Sequence, residues 1–278
     1  MTAAAQKIKQ MRVDRLVVVA DFDRTLSAPD KFTSWQALKQ DCAGEGLSQE
    51  FHRRTTELYQ RFHPIEVDHS LPRAERAAAM HSWWEESHAL LINEKPTKQM
   101  FQRMAKGCGE AFAYRENTDK LFARLRELRV PCLVFSAGLG DMIDALLELE
   151  GWLQQDTVHV LSNHLRFDGD GGVATGFTAP NLTTFNKGEV VMKERHVDFN
   201  GQLEGRDHVL LLGDSLGDAE MADGFHNEVI LRVGFLNEAC PSASTLTAYE
   251  EHFDIVLQQE PSMDAVLQVL EKIVANNK

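Results

Sequence analysis

The sequence has no apolar run approaching the roughly 18 residues that a membrane helix requires, so no helical membrane span is expected. Near the start, Leu16 to Ala20 is too short for a signal peptide and runs into Asp21 and Asp23, which argues against export. Cysteine is sparse as well. Cys42, Cys108, Cys132 and Cys240 are scattered without a Cys-x-x-Cys pair, which excludes a disulfide framework and implies a reducing, cytoplasmic setting. Positive charge is in deficit. At a formal charge of -13 the chain lacks the clustered Lys and Arg that binding to a polyphosphate backbone needs, so neither nucleic acid nor a membrane is an expected partner. A small anionic substrate remains compatible if a metal and a few local cations reverse the field at one site. Internal repeats and low-complexity tracts are also absent.

What is present is a core-forming pattern. Apolar residues make up 43% of 278 residues, enough for one large domain or a core domain carrying an insertion. Leu16-Val17-Val18-Val19-Ala20, Cys132-Leu133-Val134-Phe135, Val209-Leu210-Leu211-Leu212 and Val229 to Val233 read as strands buried on both faces, with Ile255-Val256-Leu257 as a further short strand. Between them, Thr118 is expected to cap a helix with Leu121, Phe122, Leu125 and Leu128 on its apolar face. A second helix follows Gly140 and closes at Gly151. This alternation predicts an α/β, doubly wound, mostly parallel sheet. Residues 29–115 break the rhythm with helical stretches and no buried strand, and read as an inserted helical cap on a core formed by 1–28 and 116–278. From Leu161 to Phe177 the chain alternates and turns at Asp168-Gly169-Asp170-Gly171-Gly172, a small β-hairpin.

Chemistry concentrates at the predicted strand ends. Asp21 and Asp23 lie two residues apart just as a buried strand finishes; alone, the pattern reads equally as a polar strand end with Asp23 capping a turn. Asp214 and Asp218, in Gly213-Asp214-Ser215-Leu216-Gly217-Asp218, end another. Four carboxylates at neighbouring strand ends repel one another and call for a cation, and an all-oxygen site suits Mg²⁺. Ser136-Ala137-Gly138 leads from a third strand into a helix, where backbone amides can hold phosphate oxygens, although an ordinary strand-to-helix turn has the same composition. Lys187 is the fourth element, otherwise a solvated lysine.

In this order the four elements resemble the haloacid dehalogenase superfamily of phosphohydrolases. Longer stretches are similar to the cytosolic 5′-nucleotidase III family, also called pyrimidine 5′-nucleotidase. They are Phe135 to Asp141, Ser162-Asn163 with Phe167-Asp168, Phe185-Asn186-Lys187, Gly213 to Asp218 with Met221 to Gly224, Gly234 to Asn237, and in the cap Ile65 to Asp68 and Trp84 with Ser87 to Leu91. The resemblance runs from about residue 14 to near the C-terminus and implies Mg²⁺-dependent hydrolysis of nucleoside 5′-monophosphates, CMP or UMP foremost. Asp21 is then the nucleophile, forming an aspartyl-phosphate, and Asp23 the acid and base. Mg²⁺ would be held by Asp21, Asp214 and the Asp23 carbonyl, with Asp218 orienting metal-bound water; Lys187, Ser136 and the Ala137 amide would hold the phosphoryl oxygens. Glu66 and Ser87 become the residues that contact the nucleoside.

Other readings stand beside this one. 7-Methylguanosine monophosphate or a small phosphoester such as phosphoserine would use the same site, and a nucleotide-binding module without turnover is a further alternative. Trp83 and Trp84 point to different helix faces, so at most one stacks on a base, with core packing as the other use. His52, His63, His69, His81 and His88 fit no common zinc spacing. Where Arg24 stands, the resemblance implies an uncharged residue; the guanidinium either adds a phosphate contact or points away. The oligomeric state is left open, a monomer being one reading.

Overall fold

The computed structural model of the chain describes residues 2–39, 46–68, 70–153, 157–169, 172–188, 201, 203–223 and 226–276. Its strands are β1 (Leu16–Ala20), β2 (Cys132–Leu139), β3 (Val158–Asn163), β4 (Leu165–Phe167), β5 (Ala174–Phe177), β6 (His208–Gly213), β7 (Val229–Leu236) and β8 (Ile255–Gln258). Six of them form one parallel sheet in the order β3-β2-β1-β6-β7-β8, while β4 and β5 make a separate antiparallel pair. The expected doubly wound sheet and hairpin are both present. Leu161, however, belongs to β3 at the edge of the main sheet rather than to the hairpin. The tip residues Asp170 and Gly171 lie outside the described residues.

The sheet is apolar on both faces because successive side chains alternate sides. Leu16, Val18, Ala20, Val134, Leu210 and Leu212 enter one core cluster, and Val17, Val19, Leu133, Phe135, Val209 and Leu211 another. The first face packs against α1 (Ala3–Gln10), α5 (Thr118–Leu128), α6 (Gly140–Leu149) and α8 (Asp264–Ala275), the second against α7 (Ala243–His252). The α5 cap differs from the expectation. Asn117, in a left-handed conformation, precedes the helix, and Thr118 is its first residue, its hydroxyl donating back to the Arg115 carbonyl at 2.7 Å.

Within residues 29–115 the helices are α2 (Gln49–Val67), α3 (Arg73–Asn93) and α4 (Lys98–Gly107). The two ends of this segment meet in an antiparallel bridge between Ser27 and Tyr114. Phe51, Leu91, Phe101 and Met104 join the main core, whereas Leu58, Phe62 and Met80 form a separate cluster with Trp83, Trp84 and Phe185. The helical segment therefore has a base continuous with the core and an upper end with its own. Among the described residues no helix is long and apolar enough to cross a membrane, and no disulfide is formed.

His164, between β3 and β4, ties the sheet edge to α6. Its Nε2 lies 3.0 Å from Asp144 Oδ2, and Leu165 N–H donates to Asp141 Oδ2 at 2.7 Å. A Cβ on Gly140 would sit 2.7 Å from the imidazole, so this approach requires glycine. Burial pulls the His164 pKa down, but the Asp144 bond and the charges of Asp144 and Asp141 outweigh it and leave it raised. A raised folded-state pKa stabilises below the unfolded value and ceases to do so as pH rises through the folded one. His164→Gln is therefore expected to lose about 1 kcal/mol more at about pH 5.5 than at about pH 8.5, as read by urea unfolding at the two pH values. An equal loss at both would sink this account.

Candidate functional site

The strand order reverses around β1, which has β2 on one side and β6 on the other, and the carboxyl ends of these strands make the crevice where open α/β sheets hold ligands. Asp21 follows β1, and its N–H donates to the Leu212 carbonyl of β6 at 2.9 Å. The chain then makes a wide turn closed by Ser27 N–H on the Phe22 carbonyl at 2.9 Å. Inside it Asp23 stays extended (φ -69°, ψ 121°) while Arg24 is left-handed (φ 64°, ψ 2°). Both Asp23 carboxyl oxygens accept from Ser34, from its N–H at 2.7 Å and its Oγ at 2.7 Å. Burial pushes the Asp23 carboxyl up, partly offset by those two bonds.

Lys187 is 3% exposed and lies between Asp21 Oδ1 at 2.5 Å and Asp218 Oδ1 at 2.8 Å, so it is not the solvated lysine of the bland reading. Burial alone would lower its pKa; the two carboxylates raise it instead, and the ammonium stays charged. Asp218 uses its other oxygen to accept from the N–H groups of Asp214 at 3.1 Å and Ser215 at 2.9 Å. Asp214 is held through its backbone, its carbonyl accepting from Tyr249 Oη. Among the described residues its carboxylate has only long contacts, Thr25 Oγ1 at 3.5 Å and Asn237 Nδ2 at 3.4 Å. Burial and the charge of Asp218 push Asp214 up to about 7, and burial raises Asp21 well above the usual carboxylate range despite Lys187. Asp21, Asp214 and Asp218 each offer an oxygen within 4.8 Å of the others. Crowded, desolvated carboxylates that resist ionisation, with one side chain left loosely bonded, fit a hard divalent cation.

Ser136-Ala137-Gly138 lies in β2, which continues to Leu139 beyond the turn expected there. Ser136 is buried, and its Oγ accepts from Gly138 N–H at 3.0 Å. A Cβ on Gly138 would meet Ser34 Oγ at 2.3 Å and Asp23 Oδ2 at 2.8 Å, so glycine here permits the Asp23 loop to close on β2. The Ala137 carbonyl accepts from Asn163 Nδ2 at 2.9 Å and from Trp84 Nε1 at 3.0 Å.

Three contacts bring the helical segment onto this crevice. Trp84 on α3 reaches Ala137; Glu66, in the last turn of α2, accepts from Thr184 Oγ1 at 3.2 Å; and Arg73 pairs with Glu220 at 2.5 Å. Glu66 is half-buried, and burial raises its pKa. Ser87 lies one helical turn beyond Trp84, on the same face, and is buried. Trp83 stacks on Phe62 with centroids 6.0 Å apart and packs in the segment's own cluster. Among the described residues His52, His63, His81 and His88 enter no group of three potential metal ligands; His69 lies outside them.

Sequence reasoning singled out neither Ser34 nor Arg115, and quoted Asn237 only as the end of a family-like stretch, with no role. Arg115 is 1% exposed, stacks over Phe235 at 4.2 Å, and donates to the carbonyls of Thr25 at 2.9 Å, Arg24 at 2.6 Å and Glu260. Burial pulls its guanidinium down to about 10. Nothing in the local sequence distinguishes it from a surface arginine.

Comparison with known proteins agrees with this geometry. The profile of the Pyrimidine 5′-nucleotidase (UMPH-1) family matches residues 26–274, beginning just after the Asp21 loop. A 7-methylguanosine phosphate-specific 5′-nucleotidase of Drosophila melanogaster is 32% identical over 95% of this chain and 82% of its own length. The Homo sapiens protein of the same description is 30% identical over 94% of this chain and 85% of its own. The crystal structure of cytosolic 5′-nucleotidase IIIB bound to cytidine superposes with a TM-score of 0.79 at 30% identity, covering 98% of this chain and 90% of that one. A substrate-bound phosphoserine phosphatase, at 16% identity and TM-score 0.51 over 91% of this chain and 97% of its own, shares the fold. With its crevice of carboxylates beneath a helical segment and a family match across nearly its whole length, the chain belongs to the pyrimidine 5′-nucleotidase family, whose members are phosphoric monoester hydrolases.

Proposed function

We propose that this protein hydrolyses nucleoside 5′-monophosphates in the cytoplasm with Mg²⁺, and that residues 29–115 form the cap selecting the nucleoside. The observation carrying this reading is the meeting of Asp21, Lys187, Asp214 and Asp218 in one buried crevice, with Glu66 joined to its edge through Thr184. Asp21 attacks phosphorus as the bond to the 5′ oxygen breaks, and Asp23 gives that oxygen its proton. Asp23 then takes a proton from water, which attacks phosphorus, breaks the bond to Asp21 and releases phosphate. The burial that raises Asp23 supports its starting protonated. Asp21, Asp214 and the Asp23 carbonyl would hold Mg²⁺, which would supply charge neutralisation between nucleophile and phosphate dianion. Asp218 holds Lys187 and the Asp214 loop, and its membership of the carboxylate cluster supports a role beside metal-bound water. Ser136, the Ala137 amide and Lys187 take the phosphoryl oxygens.

Glu66 and Ser87 would read the nucleoside. A carboxylate accepts from the exocyclic amine of cytosine, or from the amine and ring N–H of 7-methylguanine, whose methylated ring also carries positive charge. Uracil offers one N–H flanked by two carbonyls, which a carboxylate repels. CMP and 7-methylguanosine monophosphate are therefore expected to exceed UMP in kcat/KM. The names of the Drosophila and human relatives favour the second as much as the bound cytidine favours the first. Glu66→Gln is expected to lower kcat/KM for the better substrate by about 10- to 100-fold. A panel of nucleoside monophosphates and phosphoserine, with and without Mg²⁺, tests the proposal; no phosphate release from any nucleotide would end it.

A further inference from the structure

Arg24 is anchored at its backbone and unheld at its side chain. Its N–H donates to Ser27 Oγ at 2.7 Å, and its carbonyl accepts from Arg115 Nη2 at 2.6 Å and Asn237 Nδ2 at 3.1 Å. The side chain is exposed, and among the described residues its guanidinium makes neither an ion pair nor a hydrogen bond. Among the described residues, the cations that the contacts place around the crevice are engaged: Lys187 with Asp21 and Asp218, Arg73 with Glu220, and Arg76 with the Glu66 carbonyl at 2.7 Å and the Phe185 ring. Asn237, which holds the Arg24 carbonyl, also reaches Asp214 Oδ2, so the base of the side chain is fixed beside the carboxylate cluster. The Arg24 charge also acts on Asp23 and Asp214 in the core and on Glu66 above them, easing the ionisation of all three.

A nucleotide with its phosphate at Lys187 and its base at Glu66 would lie among carboxylates that the Arg24 charge reaches, Asp23 and Asp214 at one end and Glu66 at the other. The residues it meets are otherwise mostly acidic: Asp21, Asp23, Asp214, Asp218 and Glu66. We propose that Arg24 binds the substrate's phosphate group, supplying the unengaged cation that draws a dianion into an acidic crevice, an inference that rests on the nucleotidase reading. A planar fork of donors suits phosphate oxygens, and a backbone fixed on both sides reduces the freedom lost on binding.

The test uses the full chain with Mg²⁺ and inorganic phosphate as the probe. Arg24→Met is expected to raise KM for the nucleotide and the Kd for inorganic phosphate, measured by calorimetry, by a similar factor of about 5 to 20, leaving cytidine affinity unchanged. Arg24→Lys, which keeps the charge but not the fork, should fall between wild type and Arg24→Met, and decides the matter if the Met variant unfolds at a lower temperature. Unchanged phosphate affinity in the variants overturns the proposal. So does weakened cytidine binding with phosphate unaffected, or altered Mg²⁺ affinity alone, which would mean that Arg24 only neutralises the carboxylates. A wild-type protein that turned over no nucleotide would sink the nucleotidase reading, while phosphate calorimetry would still decide the role of Arg24.

Discussion

Asp21→Asn is expected to lower phosphate release by about 10⁴-fold or more while leaving the protein folded. The substitution keeps the shape of the side chain and an oxygen that accepts from Lys187 Nζ, so the contact seen at 2.5 Å has a neutral successor. What disappears is the carboxylate that would form the bond to phosphorus, and an amide oxygen is too weak a nucleophile to replace it. Stability should not follow activity. Burial and the charges of Asp218 and Asp214 oppose ionisation of Asp21, so a neutral residue there relieves repulsion. Thermal unfolding without added metal is expected at or above the wild-type temperature. Activity within tenfold of wild type would remove Asp21 from the role of nucleophile, and a large fall in unfolding temperature would mean that its charge is structural.

Lys187→Met should reverse that balance and cost stability as well as rate. It leaves Asp21 and Asp218, both nearly inaccessible, without the ammonium that touches each of them. Removing one partner of a buried ion pair costs about 3–5 kcal/mol, roughly 10 °C in unfolding temperature for a chain of this size. Burial already raises the Asp21 carboxyl despite Lys187, so without the ammonium it binds its proton more readily folded than unfolded, and the variant loses stability as pH rises. Its deficit is therefore expected to be smaller at about pH 5 than at about pH 8. Turnover should drop by about 10²- to 10³-fold, as for loss of a donor to the transition state. Adding Asp218→Asn to Lys187→Met should recover part of the stability and none of the rate. Equal deficits at both pH values, or no recovery in the double variant, would show that Lys187 packs rather than pairs.

The parts of this architecture that were legible in the sequence are those set by continuous burial. β1 and β6 are buried at every position and apolar at all but His208 because both faces are covered, and the carboxylates that follow them could be placed at neighbouring strand ends before any coordinates. β3 escaped notice because it is an edge strand, half-exposed over Val158 to Val160, interrupted by His159 and ending in Ser162-Asn163. The same polar residues that hide it as a strand hold the neighbouring loop: Ser162 Oγ donates to the Gly138 carbonyl at 3.0 Å, and Asn163 to Ala137. Asn117 and Thr118 are adjacent polar residues, and sequence alone does not tell which precedes the helix. Ser34 has no local signature, since its bond to Asp23 exists only once residues 24–33 have folded back on the turn. Glu66 and Ser87 were named through resemblance alone; their approach to the crevice depends on how α2 and α3 pack, which no periodicity reveals.

Arg115 bears on how such an enzyme can be taken apart. It is the point where the helical segment returns to the sheet, and it fastens the carbonyls of Arg24 and Thr25 on the far side of the wide turn. The Asp21 loop is thus braced from the point where the helical segment returns to the sheet, as well as by Ser34 and Asn237. Grafting another helical segment onto this sheet would therefore have to preserve the junction at Arg115. A shortened chain lacking that residue would keep Asp21 and Asp23 but lose the buttress behind their loop, and in grafts of otherwise equal stability activity should follow the junction more closely than the grafted helices.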